Sequence, residues 1–230
     1  MRMFRVIAIG SAVLTIGLAT PAAAAPVLLD DTQLAAAVLA PTDVPGGGWT
    51  AAPGAVIESE PRTQANDIEG GWCGGATDGY AAGELHAVNG SATTILQKIA
   101  APDEPYWFVW ESLWSFGESF GNSPVTQATN FMNTMQGASG ECESWTTSGG
   151  EITNSISPEI VPFAAIGNQR FAVQLTTSGD GVSEITHVVY VRVKNNVVVI
   201  HTRILPADST LLRKIVKKAV KKLKQAAAAA

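Results

Sequence analysis

Residues 188–200 read VVYVRVKNNVVVI, two β-branched runs on either side of Asn195 and Asn196. Asn tolerates the positive φ of a type I′ turn, so this pair predicts a two-residue hairpin. The register that follows sets Lys194 opposite Val197, Arg192 opposite Val199, Tyr190 opposite His201 and Val188 opposite Arg203 on one face. The other face carries Val193, Val191, Val189 and His187 against Val198, Ile200, Thr202 and Ile204, and reads as the core. If Phe171, Val173 and Leu175 of the preceding strand join that core, Arg170 points with Tyr190 and Arg192. One sheet face then collects Arg170, Tyr190, Arg192, His201 and Arg203.

Working outward, further strands are predicted at 142–147, 151–156, 170–177, 184–194 and 197–205, with a weak one at 55–58. Asp30, Asp31 and Thr32 can cap a short helix carrying Leu34, Val38 and Leu39, which stops before the turn region from Pro41 to Gly48. Ser123 and Pro124 open a second helix with Val125, Ala128, Met132 and Met135 on one side, ended by Gly137 and Gly140. The third runs from Ser209 to about Gln225, ahead of an alanine tail at 226–230. Without repeats or a linker, the order describes one α+β domain, residues 26–225, built on an antiparallel sheet flanked by helices.

The N-terminus has the three-part layout of a secretory signal: Arg2 and Arg5, an apolar run from Val6 to Ala19, then Pro21 and small residues through Ala25. The run is short of the roughly 20 residues that span a bilayer, so residues 1–25 read as a signal peptide rather than an anchor. No Cys lies near the cut to carry a lipid. In an exported chain the two cysteines, Cys73 and Cys142, read as one disulfide, because two thiolates alone cannot close a zinc site. The loop of about 70 residues would stabilise the fold by roughly 4 kcal/mol at most.

Charge is unevenly placed. The net value of −5 combines 20 acidic residues, all after the signal, with a final helix holding Arg213, Lys214, Lys217, Lys218, Lys221, Lys222 and Lys224. Between 26 and 212 there are six basic residues, and Arg170, Arg192, Lys194 and Arg203 fall on the single face derived above. Arginine forks there suit an anionic group, although surface arginines more often pair with carboxylates or face water. An acidic, exported chain argues against nucleic acid. The final helix has an apolar stripe, Leu211, Leu212, Ile215, Val216, Ala219, Val220 and Leu223, so it docks on the sheet and turns a basic back outward. That back fits contact with an anionic envelope surface.

Tyr106, Phe108, Trp110, Trp114 and Phe116 point one way in an extended chain, with Trp107, Val109, Glu111 and Leu113 opposite, while periodicity alone also fits a helix with Trp107, Trp110 and Trp114 in line. Such a row, with Trp110 and Trp114 at its centre, stacks on sugar rings or lines an apolar cleft, and is more often simply core. No H-E-x-x-H, P-loop or G-x-G-x-x-G occurs, and His86, His187 and His201 are not at metal-ligand spacings. No catalytic residue, metal or cofactor is expected. Asp180, Gly181 and Glu184 read as a hairpin loop before they read as a calcium site.

The segments "LAAAVLAPTDVPGGGW" (34–49), "IGNQRFAVQLTTSGDG" (166–181), "VVYVRVKNNVVVI" (188–200) and "LLRKIVKKAVKKL" (211–223), with Cys73, the aromatic strand and Cys142 between, form a pattern. It resembles actinobacterial secreted sensor-domain proteins of the PknH-like extracellular domain family. The resemblance implies a strongly curved antiparallel sheet flanked by helices, with a cleft for an unknown ligand and no catalytic residues. Unlike the kinase sensor domain, this chain can form only one disulfide and carries no kinase domain. The expected function is therefore a secreted, non-enzymatic domain binding a small molecule or envelope component. Two other readings are a hydrolase of wall material and an interaction protein that docks through its basic helix.

Overall fold

In the computed structural model, which describes residues 26–52, 88–99, 107–141, 144–149, 152–179, 181–203 and 209–230, the hairpin forms but turns one residue early. Its strands are β7 (Val182–Val193) and β8 (Asn196–Arg203), joined through Lys194 and Asn195 with Lys194 at φ 56°. The reason is tertiary. Asn195 is fully buried, and its amide donates to the carbonyls of Val27 (3.1 Å) and Phe116 (3.2 Å). Lys194 N–H donates to Asn168 Oδ1 at 2.7 Å. Those bonds override the local preference for Asn at both turn positions.

Arg192 therefore pairs with Val197, Tyr190 with Val199 and Val188 with His201. The pairing moves by a whole pleat, so both strands keep the expected faces.

Six further strands complete the sheet: β1 (Thr50–Ala51), β2 (Val88–Lys98), β3 (Trp107–Phe116), β4 (Trp145–Gly149), β5 (Ile152–Val161) and β6 (Gln169–Gly179). The order is β1-β2-β3-β8-β7-β6-β5-β4 and every pairing is antiparallel. The strand β2 was not anticipated, although its Thr93-Thr94-Ile95 run is strand-like. All the described strands share one open, curved sheet in a single α+β domain.

Helix α1 (Asp31–Ala37) starts at Asp30, whose side chain accepts from Gln33 N–H while Gln33 bonds back to Asp30 N–H. Helix α2 (Pro124–Glu141) runs through both glycines that were expected to end it. It buries Ala128, Phe131 and Met132, while Val125 is exposed. Helix α3 (Ser209–Ala229) continues through the alanines, which have the highest helix propensity.

One core face was expected; there are two. α1 and α3 cover the first, where Leu96, Val109, Leu113, Val189, Val191, Val198 and Ile200 meet Leu34, Ile215, Val216 and Leu223. α2 covers part of the second, where Trp114, Phe116, Phe171, Val173, Tyr190, Val197 and Val199 meet Phe131 and Met132. The unbroken run Val197–Ile200 is the signature of a strand buried on both sides.

Beneath α1 and α3 lies a polar knot. Glu111 of β3, fully buried, accepts from Leu39 N–H through Oε2 at 2.5 Å. Lys222 of α3 donates to the Val38 carbonyl and pairs with Asp43 (2.8 Å), which Lys218 also reaches at 3.0 Å. Burial alone would raise the Asp43 pKa, but the bonds from Lys222, Ala40 N–H and Lys218 outweigh it and hold the pKa at about 2. The predicted signal at 1–25, the weak strand at 55–58 and both Cys73 and Cys142 lie outside the described residues.

Candidate ligand-binding surface

Pairing of β3 with β8 brings two separately predicted sets onto the α2 face. Phe108 stands opposite Arg203, Trp110 opposite His201, and Trp114 opposite Val197. The aromatic row therefore faces the same way as His201 and Arg203, as their common register requires. These strands are far apart in sequence, so no local pattern announces the pairing.

The seven predicted residues do not form one cleft. Arg170 pairs with Val191 and so lies on the opposite face, exposed; it is Phe171 that pairs with Tyr190 and stacks on it at 4.5 Å with 10° between rings. The error came from assigning Phe171, Val173 and Leu175 to the first core when they build the second. Tyr190 is fully buried, and Trp114 (4% exposed) packs edge-on against Phe131 at 5.5 Å. Both are core under α2.

Arg192 serves the hairpin end, donating to Gln169 Oε1 (3.2 Å) and to the Lys194 carbonyl (2.8 Å). It stands four residues along β7 from Val188, the partner of His201, or about 13 Å.

What remains together is Trp110, His201 and Arg203, joined by Phe108 and Glu184. At this end Trp110 is 39% exposed. Phe108 meets the His201 ring edge-on at 5.1 Å, and Arg203 Nε pairs with Glu184 Oε1 at 2.7 Å.

Burial lowers the His201 pKa to about 4, so the imidazole is neutral at pH 7, and its buried Nε2 has no hydrogen-bond partner among the described residues. Burial also raises the Glu184 pKa, opposed by Arg203. Glu184, considered as part of a loop, is a strand residue committed to Arg203. The arrangement offers an aromatic plane, a neutral imidazole and a charge-balanced fork. These suit hydroxyl-rich or planar ligands better than a bare anion.

Contrary to the expectation that no G-x-S-x-G occurs, Gly117-Glu118-Ser119-Phe120-Gly121 has that spacing, between β3 and α2. A nucleophile elbow strains the serine itself. Here Phe120, 82% exposed, takes the positive φ (50°), and Ser119 bonds through its backbone to Asn122 and to the Gln127 amide. His201 pairs with Trp110, six residues of strand and about 20 Å from Phe116, which leaves it no reach to Ser119. Among the described residues no three His, Cys, Asp or Glu side chains are grouped to hold a metal, and no helix is long and apolar enough to cross a membrane.

No family model matches the chain, and no curated protein sequence does. Among solved structures it is similar to the extracellular domain of PknH from Mycobacterium tuberculosis, with a TM-score of 0.59 and 15% identity. The match covers 86% of this chain and 98% of that one. The chain thus has the fold of the PknH extracellular domain, as the pattern of short segments implied.

Proposed function

We propose that this chain is an exported, non-enzymatic binding domain of the sensor type whose ligand is an envelope glycan. Sugar rings rest on Trp110 and Phe108, with hydroxyls bonded to the Arg203–Glu184 pair. The observation that carries this reading is a partly exposed Trp110 directly across the strand pair from His201, beside the part-exposed Arg203–Glu184 pair.

Titration with soluble wall-glycan fragments, followed through the indole N–H resonances, tests it. Wild type and Arg170→Glu are expected to show a saturable shift of the Trp110 signal. Trp110→Ala and Arg203→Glu are expected to bind at least tenfold more weakly, the loss of one stacking contact or charged hydrogen bond. Binding unaffected by Trp110→Ala, or abolished by Arg170→Glu, places the ligand elsewhere. Turnover of the fragments overturns the non-enzymatic reading.

A further inference from the structure

Helix α3 carries seven basic residues and no acidic one, and the fold divides them into two groups. Lys218 and Lys222 turn inward to Asp43. Arg213, Lys214, Lys217, Lys221 and Lys224 are exposed and make no ion pair among the described residues. Spaced by four, four and three, Arg213, Lys217, Lys221 and Lys224 form one row about 16 Å long, with Lys214 beside it.

Like charges at this spacing destabilise a helix, and alternating Glu and Lys would have solvated the surface without that cost. The rest of the mature chain is acidic, so the row is the main concentration of positive charge. Beside it runs a shallow groove between α3 and the β5–β6 loop. Exposed Ala228 and the small part of the core residues Ile166 (8% exposed) and Val220 (4%) that reaches the surface supply its apolar floor, and Lys217, Lys221 and Lys224 stand along it.

We infer that this face of α3 docks the domain on an anionic phospholipid bilayer. The cations meet the headgroup phosphates, and the groove receives the apolar part of one lipid at the interface. A soluble polyanion would use the charges but has no use for the groove. The apolar stripe of α3 is already buried against the sheet, so the contact is peripheral and electrostatic, not insertion. This inference does not depend on the glycan reading, which uses the other side of the sheet.

Co-sedimentation of the whole chain with phosphatidylcholine vesicles, with and without phosphatidylglycerol, provides the test. Binding is expected only to the mixed vesicles and to weaken steeply as salt rises from low to physiological strength. At roughly fivefold per cation, Lys217→Gln/Lys221→Gln/Lys224→Gln should lower the partition coefficient about a hundredfold, with an unchanged circular dichroism spectrum. Replacing Ile166 by Thr, which nearly keeps its shape and adds no charge, should weaken vesicle binding without altering its salt slope, again with an unchanged circular dichroism spectrum. Trp110→Ala should bind like wild type. Equal binding to neutral vesicles, a flat salt response, or a triple variant that binds normally each overturns the inference. So does vesicle binding that Ile166→Thr leaves unchanged while a soluble sulfated polysaccharide binds as tightly as the vesicles.

Discussion

Glu111→Gln is expected to leave stability unchanged near pH 4 and to raise it by several kcal/mol above pH 8. Burial raises the Glu111 pKa from 4.5 to about 8, against the Leu39 N–H bond and Lys222, with Asp43 adding to the rise. A carboxyl with a raised folded-state pKa takes up a proton on folding. Its favourable contribution is complete below the unfolded value and is lost as pH rises through the folded one. Full ionisation costs about 5 kcal/mol at 1.36 kcal/mol per pH interval. Gln keeps an oxygen for Leu39 N–H and never ionises.

His201 works in the opposite sense. Its pKa falls from 6.5 to about 4 through burial, so folding expels a proton. That stability is complete above 6.5 and is lost as pH falls through 4, about 3 kcal/mol in all. Between roughly pH 4.5 and 6.5 the two groups offset one another, and wild-type stability should be nearly flat. Urea unfolding across a pH series separates them. Glu111→Gln should lose stability on acidification from pH 6.5, and His201→Gln should gain it. Parallel curves for wild type and Glu111→Gln between pH 5 and 9 would mean that Glu111 is ionised in the fold.

Much of this was legible in sequence wherever one strand carried its own pattern. The alternation in 107–116 placed Phe108, Trp110, Trp114 and Phe116 on one side, and the register confirms it. The faces of β7 and β8 survived a wrong turn position because the pairing moved by two. Had it moved by one, every residue would have changed sides.

What escaped depends on contacts between distant segments. Asn195 turns inward to Val27 and Phe116, which no turn propensity records. Arg170 was placed by assuming a single core, although consecutive valines in β8 already pointed to burial on both faces. The candidate site lost Tyr190 and Trp114 to the packing of α2 and kept Trp110, which is 39% exposed, with its neighbours His201 and Arg203. Glu111 stands between Val109 and Leu113 on an apolar face, and a carboxylate at that position is itself the sequence signal of a buried acid.

Gly90→Ala is expected to destabilise the domain by at least about 3 kcal/mol, more than an ordinary overpacking substitution of one methyl. Gly90 sits where the β2–β3 register shifts between Val88 and Gly90. A Cβ there would lie 2.6 Å from the Leu29 carbonyl oxygen, 2.8 Å from the Asp30 carbonyl carbon and 2.9 Å from Asp31 N. All three are backbone atoms, so no side-chain rotation relieves the contact. Their segment is itself fixed: Leu29 N–H donates to Ser115 Oγ (2.9 Å), the Asn89 amide reaches the Leu29 carbonyl (2.9 Å) and Ser91 N–H donates to Asp31 Oδ1 (2.8 Å). Glycine in this strand is therefore a requirement of close backbone approach, not of backbone conformation. Displacing residues 29–31 also shifts the start of α1, whose Leu34 is fully buried in the first core. Thermal unfolding of Gly90→Ala beside Gly121→Ala checks the mechanism. Gly121 has open space around it and a φ of 74°, so its variant bears only local backbone strain. A melting temperature for Gly90→Ala no lower than that of Gly121→Ala would show that the 29–31 segment yields, and that α1 is not anchored through this contact.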